Sequence, residues 1–171
     1  FGDYDVDGVT ASVLLVEGLR ELGAKVESYI PDRNIDGYGP SSRSIRRIAD
    51  MGTSLLVTAD TGTSAVAEVR EANSLDMDVV VIDHHAIPSE LPEAYAIVNP
   101  LLFDNLYGSE PAAVGVAYKV LEELFHRMQV TFDADRFLDL VGLGMVCDMA
   151  PLRDESRDLV RLGINALRKT S

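Results

Sequence analysis

Short apolar runs alternate with stretches of helical periodicity along the first hundred residues. Apolar runs of four to six residues are typical of buried parallel strands, and apolar positions three and four apart are typical of amphipathic helices. The predicted strands are residues 1–3, 25–30, 54–59, 79–82 and 96–98. The predicted helices among them are residues 9–22, 42–51 and 64–73. This alternation predicts βαβ units, and therefore an α/β fold with a mostly parallel sheet flanked by helices.

The second part of the chain has a different pattern, in which helical periodicity is not interrupted by strands. The predicted helices here are residues 112–128, about 134–146, and 155–169. We therefore expect an α/β part over about residues 1–105 and a helical part over about residues 106–171. The length of 171 residues fits one domain. Because Phe1-Gly2-Asp3 resembles the last part of a strand, we expect this domain, residues 1–171, to be a fragment truncated at both ends.

Composition excludes several classes of protein. Apolar residues make up 47% of the chain and charged residues 25%, as in globular proteins. No apolar run approaches the roughly 18 residues that span a bilayer, and no secretion signal is visible, so we expect a cytoplasmic protein without membrane contact. A single cysteine, Cys147, allows no internal disulfide and no cysteine zinc site. The net charge of −13 argues against a generally basic nucleic-acid surface.

Acidic residues follow three of the predicted strands. Asp3, Asp5 and Asp7 follow the first strand, Asp60 follows the strand at residues 54–59, and residues 83–85 (Asp83-His84-His85) follow the strand at 79–82. In a parallel sheet the carboxyl ends of the strands share one edge, where ligands bind. Each aspartate alone could be a helix cap or a turn residue. Their agreement at three strand ends instead favours a common site.

So many carboxylates in one crevice repel one another unless cations neutralise them. Oxygen ligands with one or two imidazoles suit Mg²⁺ or Mn²⁺. Two such ions, about 3.5–4 Å apart, would support in-line displacement at phosphorus. Asp148, at the end of a predicted helix, could be a further ligand or a turn residue before Pro151.

These motifs, in this order, resemble the DHH phosphoesterase superfamily, and within it the RecJ family of single-strand-specific exonucleases. The resemblance covers essentially the whole chain. Four stretches of this chain resemble the superfamily motifs: Gly2-Asp3-Tyr4-Asp5-Val6-Asp7-Gly8 and residues 57–62, 83–85 and 140–148. Further stretches resemble segments that are typical of the RecJ family, namely residues 31–33, 36–39, 98–100 and 114–119. One departure is Thr61-Gly62-Thr63, where RecJ proteins often have Asn or Cys before the glycine.

The resemblance implies a di-metal phosphodiesterase that holds two divalent cations, Mn²⁺ or Mg²⁺. The implied metal ligands are Asp5, Asp7, Asp60, His84 and Asp148. Asp3 is a further candidate ligand. Alternatively, it could hydrogen-bond to one of the ligands or form a local turn bond. The resemblance further implies catalytic roles for two neighbours. His85 would contact the scissile phosphate, and Asp83 would orient His84 or cap the following turn.

Two further residues are candidates for binding the substrate. Arg33 could contact a phosphate, and Tyr38 could stack on a base, although a tyrosine between glycines often only holds a loop in place. Their positions in the RecJ-like loop motivate both assignments.

The resemblance implies the catalytic domain of a 5′-to-3′ single-stranded-DNA exonuclease in DNA repair and recombination, releasing 5′-mononucleotides. It also implies partner domains outside this chain, namely a C-terminal DHHA1-like domain and an oligonucleotide-binding domain. One alternative is a DHH phosphoesterase acting on short oligonucleotides, adenosine bisphosphate or cyclic dinucleotides. A second alternative is a non-catalytic DHH scaffold.

Overall fold

A parallel sheet forms the centre of the fold in this computed structural model, which describes residues 1–103 and 110–169. Its strands are Leu55–Ala59 (β1), Asp78–Ile82 (β2) and Ala96–Val98 (β3), in the order β1-β2-β3. Leu55 lies opposite Asp78, and Val80 lies opposite Ala96. All three strands therefore end at the same edge, as the predicted α/β fold requires.

Helices make up most of the remaining structure. They are Val6–Glu21 (α1), Ser42–Asp50 (α2), Val66–Ser74 (α3), Ala113–Arg127 (α4), Leu138–Cys147 (α5) and Asp154–Leu167 (α6). The helix predicted over residues 134–146 is divided into a 3₁₀ turn, Ala134–Phe137, and α5. A second 3₁₀ turn is Pro100–Leu102. The predicted boundary between the α/β and helical parts, near residue 105, lies outside the described residues.

Side chains on the two faces of the sheet pack against different helices, because successive strand residues point in opposite directions. Ala59 and Ile82 belong to an apolar cluster with α1, α4, α5 and α6. Leu56, Val79 and Val81 belong to a second cluster with α2 and α3. The sheet is thus a middle layer, and helices from both parts of the chain reach its carboxyl edge.

The prediction of a strand over Lys25–Ile30 is wrong. These residues are in irregular structure, although Gly2 N–H donates to the Tyr29 carbonyl at 3.0 Å. Residues 1–3 contribute a single parallel bridge between Gly2 and Ala59. The apolar residues alternate in the sequence, but burial does not follow them, since only Val26 and Tyr29 of this segment are partly buried and Ile30 is exposed. A strand also needs successive ladder bonds to a neighbour. Only the bond to Tyr29 joins the two segments among the described backbone bonds.

No helix in the described part of the chain is both long and apolar enough to cross a membrane.

Candidate metal centre

The first motif forms the turn into α1. Asp5 is the N-cap, and its Oδ1 accepts a hydrogen bond from Gly8 N–H at 2.9 Å. Asp7 lies in the first turn and is 1% exposed. A Cβ on Gly8 would lie 2.6–2.7 Å from atoms of Asp3, so only glycine lets the chain turn this tightly. The glycine of the motif therefore brings Asp3, Asp5 and Asp7 together.

Asp60 follows β1 in a left-handed conformation, with φ of +62°. Asp and Asn tolerate this region better than other residues that carry a Cβ. Its backbone N–H donates to the Ile82 carbonyl at 3.0 Å, which anchors it to the end of β2. Asp60 Oδ1 consequently lies 3.2 Å from His84 Nε2.

Asp83 organises the loop that follows β2. One carboxylate oxygen accepts a hydrogen bond from the His84 backbone N–H at 2.8 Å and lies 2.7 Å from His85 Nδ1. The other accepts from Thr63 N–H at 2.9 Å. Asp83 therefore caps the turn, one of the two roles that the resemblance implied, and it orients the ring of His85 rather than that of His84.

Electrostatics reinforce this arrangement. Burial opposes ionisation of Asp83, but its hydrogen bonds with His85 and Thr63 outweigh that cost and hold its pKa below the usual range. The same bond to Asp83 raises the pKa of His85 to about 9, against the effect of burial. Asp83 and His85 thus form a tightly bonded pair beside the cluster.

Asp148 reaches the sheet edge from the helical part of the chain. It is the C-cap residue of α5, and the following Met149 has a φ of +58° that turns the chain away. One ligand atom each of Asp148, Asp7 and His84 lie within 4.8 Å of one another.

Two further three-residue groups meet the same distance limit. They are Asp60, His84 and His85, and Asp3, Asp5 and Asp60. Because Asp60 and His84 are each shared between groups, the three form one continuous cluster. The structure thus brings together the whole predicted ligand set, with Asp83 bonded to His85 beside it.

Without cations, burial makes ionisation of the carboxylates in this cluster unfavourable. It raises the pKa of Asp7 to about 6 and that of Asp60 to about 7, with neighbouring carboxylates adding to the effect. Burial also raises the pKa values of Asp3 and Asp148. Burial opposes the charged form of His84, but the Asp60 carboxylate 3.2 Å away and the nearby carboxylates of Asp148 and Asp7 raise its pKa.

The cluster fits a divalent cation. Among the described residues, the buried Asp3 Oδ1 has no hydrogen-bond partner. Asp60 Oδ1 and His84 Nε2 are also buried and lie 3.2 Å apart, but neither has hydrogen-bond geometry with the other or with any other group. Buried polar atoms are rarely left unpaired in native proteins, so each calls for an explanation. Carboxylate oxygens with one imidazole nitrogen are a donor set that Mn²⁺ and Mg²⁺ accept. These residues could therefore hold metal.

The N-terminus of α4 is a part of the site that the sequence did not reveal. Asp7 accepts hydrogen bonds from the backbone N–H groups of Ala113 and Val114, at 2.6 and 2.9 Å. These bonds lower the pKa of Asp7 against the effect of burial. The helix start was predicted, but no local signal relates it to a residue 106 positions earlier.

The two substrate-binding candidates lie at the rim. Tyr38 is 53% exposed, and its hydroxyl lies 3.3 Å from His85 Nε2. The Arg33 guanidinium lies over the ring of Tyr4, 5.3 Å from its centroid. An open cavity next to the cluster is lined by His84, Pro100, Leu101, Glu110, Pro111 and Asp148, among others. Tyr38 is thus in contact with the site, while Arg33 lies close enough for its charge to oppose the raised pKa of Asp3.

Comparison with known proteins points to one family. Residues 1–145 match the model of the DHH family, N-terminal domain. The chain is 42% identical over 172 residues to the single-stranded-DNA-specific exonuclease RecJ of Bacillus subtilis, covering all of this chain and 21% of that protein.

Two solved structures are also similar. A crystal structure of exonuclease RecJ bound to manganese matches with a TM-score of 0.89 and 35% identity, covering 96% of this chain and 42% of that one. RecJ from Thermus thermophilus in complex with Mn²⁺ matches with a TM-score of 0.83 and 32% identity, covering 96% of this chain and 23% of that one. This chain therefore spans less than half the length of each of these relatives.

Proposed function

The chain belongs to the DHH family, and from this premise we propose that it is the catalytic domain of a RecJ-like 5′-to-3′ exonuclease for single-stranded DNA. The observation that carries the proposal is the buried cluster of carboxylates and imidazole at the sheet edge, in which Asp60 Oδ1 and His84 Nε2 lie 3.2 Å apart without forming a hydrogen bond. The manganese-bound RecJ structures support the choice of cofactor. The product would be 5′-mononucleotides, and the role would be in DNA repair and recombination.

Two divalent cations, Mn²⁺ or Mg²⁺, would be held by residues from both parts of the fold. The proposed ligands are Asp5, Asp7, Asp60, His84 and Asp148, with Asp3 as a further candidate. Bound metal would activate water for in-line attack on the scissile phosphate and offset charge on its oxygens.

The remaining residues would position the strand. His85, held by Asp83 at 2.7 Å, presents an imidazole that is 47% exposed, beside the proposed metal ligands. A protonated imidazole there would donate a hydrogen bond to a phosphate oxygen. Tyr38 packs edge-on against the same ring, which leaves its own face available to a base. Arg33 would add positive charge for a neighbouring phosphate.

We also propose that the working protein contains further domains, including a DHHA1-like domain and an oligonucleotide-binding domain. The partial coverage of the relatives supports this view. A cytoplasmic location, expected from the sequence, stays a prediction.

The test is to replace Asp60 with Asn and His84 with Ala in the full-length protein that carries this chain. We expect Mn²⁺ affinity, measured by calorimetry, to fall at least about tenfold, and release of mononucleotides from single-stranded DNA to fall about 100-fold or more. Asp158→Asn is the control, because that carboxylate is 69% exposed and lies on α6. Intact activity in both site variants would refute the proposal. Activity confined to dinucleotides would instead indicate a short-substrate phosphoesterase.

A further inference from the structure

A buried asparagine next to the site takes no part in the proposed metal binding. Asn99 follows β3 and is completely buried, so it cannot touch a substrate. We propose that Asn99 is a positioning residue that holds the loop of residues 83–85 in the conformation that aims the His85 ring at the substrate. This inference rests on the proposed function, since it assigns His85 a contact with a phosphate.

The side-chain amide of Asn99 uses both its donor and its acceptor capacity. Its Nδ2 donates to the backbone carbonyl of His85 at 2.9 Å and to Thr63 Oγ1 at 3.1 Å. Its Oδ1 accepts from Leu101 N–H at 3.0 Å. One side chain thus joins the segments that follow all three strands.

Thr63 extends this network to the other side of the loop. Its backbone N–H donates to one Asp83 oxygen at 2.9 Å, while the other oxygen lies 2.7 Å from His85 Nδ1. His85 is therefore held at its backbone carbonyl by Asn99 and at its ring by Asp83. Asp83 is itself held through Thr63, which Asn99 also contacts.

The sheet determines why Asn99 lies where it does. Asp83 N–H donates to the Val98 carbonyl at 3.0 Å, and Ile82 pairs with Val98 in parallel register. The residue after β3 therefore lies directly beside the residues after β2. At that position a carboxylate would place an oxygen against the His85 carbonyl, which can only accept. An apolar side chain would remove the partner of all three groups that Asn99 contacts.

The direction of the His85 ring is the property that this network determines. Nδ1 is bonded to Asp83, and the ring meets Tyr38 in a T-shaped contact in which the hydroxyl lies 3.4 Å from Nδ1 and 3.3 Å from Nε2. Loss of the bond at the His85 carbonyl would free the backbone of the loop, and a small displacement of a positioned group is enough to lower the rate of the chemical step.

The experiment is a double-mutant cycle in the full-length protein with His85→Ala and Asn99→Asp. We expect Asn99→Asp to lower kcat on single-stranded DNA about tenfold, with KM changed less than about twofold. In the His85→Ala background the same change should cost almost nothing, because its effect passes through the imidazole. Additive losses, or an unchanged kcat, would overturn the inference.

Two further variants separate positioning from stability. Ile97→Val in β3 shortens a partly buried side chain and leaves Asn99 in place, so we expect no change in kcat. Thr63→Val removes the second acceptor of the Asn99 amide, and it gives an independent cycle if Asn99→Asp does not fold. A loss for Thr63→Val that is additive with His85→Ala would also overturn the inference. Failure of the proposed function is recognised separately, by full activity of Asp60→Asn and His84→Ala.

Discussion

At the scale of single residues, the site consists of carboxylates in surroundings that oppose their ionisation. Asp7 and Asp60 are 1% and 2% exposed, and their pKa values are raised to about 6 and about 7. In the unfolded chain both would titrate near the ordinary aspartate value of about 3.9. Between these values the folded state binds protons that the unfolded state has released.

This difference predicts how the stability of the metal-free chain depends on pH. Because the folded state binds more protons, its free energy of unfolding should fall as pH rises from about 4 to about 7. The pKa of His85 is also raised, to about 9, so the folded state loses further stability as pH rises toward that value. This contribution has the same sign and does not reverse the trend.

Asp60→Asn tests this prediction, because Asn also tolerates the positive φ at this position. We expect the variant, unfolded by urea with chelator present, to lose less stability than the wild type between about pH 4 and 7. Asp158→Asn, on the exposed face of α6, should follow the wild type. The same pH dependence in Asp60→Asn and the wild type would contradict the assignment.

At the scale of secondary-structure elements, the site residues lie at the ends of strands and helices, so the packing of these elements determines their positions. The contact between α5 and α6 places Asp148, because Asp148 ends α5. These helices meet at Gly142 and Gly163, where a Cβ on Gly142 would lie 2.8 Å from the Gly163 Cα. The neighbouring atoms are backbone, so they cannot move aside as the end of a flexible side chain could.

Gly142→Ala should therefore destabilise the chain, although alanine is the better helix former by about 1 kcal/mol. Overpacking typically costs about 1–3 kcal/mol, and the gain in helix propensity offsets about 1 kcal/mol of this, so we expect the free energy of unfolding in urea to fall by up to about 2 kcal/mol. Mn²⁺ affinity should also fall, because α5 carries Asp148. Arg161→Ala, at an exposed position of α6, is the control and should change stability by less than about 0.5 kcal/mol. A more stable Gly142→Ala chain would show that this contact does not set the helix spacing.

At the scale of the whole molecule, the charge balance constrains how a nucleic acid would be bound. The net charge is −13, and two divalent ions would reduce it to −9, because −13 + 4 = −9. Bound metal would thus offset charge at the scissile phosphate, while the rest of this chain stays acidic. Affinity along a DNA strand would have to come mainly from the further domains that we propose.

This balance predicts weak binding of single-stranded DNA by the 171-residue chain alone. Between about 50 and 200 mM salt, its affinity should change little, whereas the full-length protein should lose affinity steeply through counterion release. Fluorescence anisotropy with a hydrolysis-resistant strand and Mn²⁺ measures the DNA affinity of each protein at each salt concentration. Equal salt dependence of the two proteins would place the strand-binding surface within this chain.

The fold class, the order of the motifs and the set of residues that meet at the sheet edge could all be predicted from the sequence. Periodicity is a local signal, and parallel strands necessarily bring their carboxyl ends together, so Asp60 and His84 could be placed near each other in advance. The same local signal was misleading for Lys25–Ile30, where apolar residues alternate in the sequence but the structure has neither alternating burial nor ladder bonds.

Only the tertiary structure decided how these residues are held. The bonds from the α4 N-terminus to Asp7 span 106 positions, and the bond from Asn99 to Thr63 spans 36. Such contacts depend on how helices and strands pack, and no spacing along the chain encodes them. The burial of Asp60 Oδ1 and His84 Nε2 without a hydrogen bond likewise depends on packing, because it arises only when both faces of the sheet are covered.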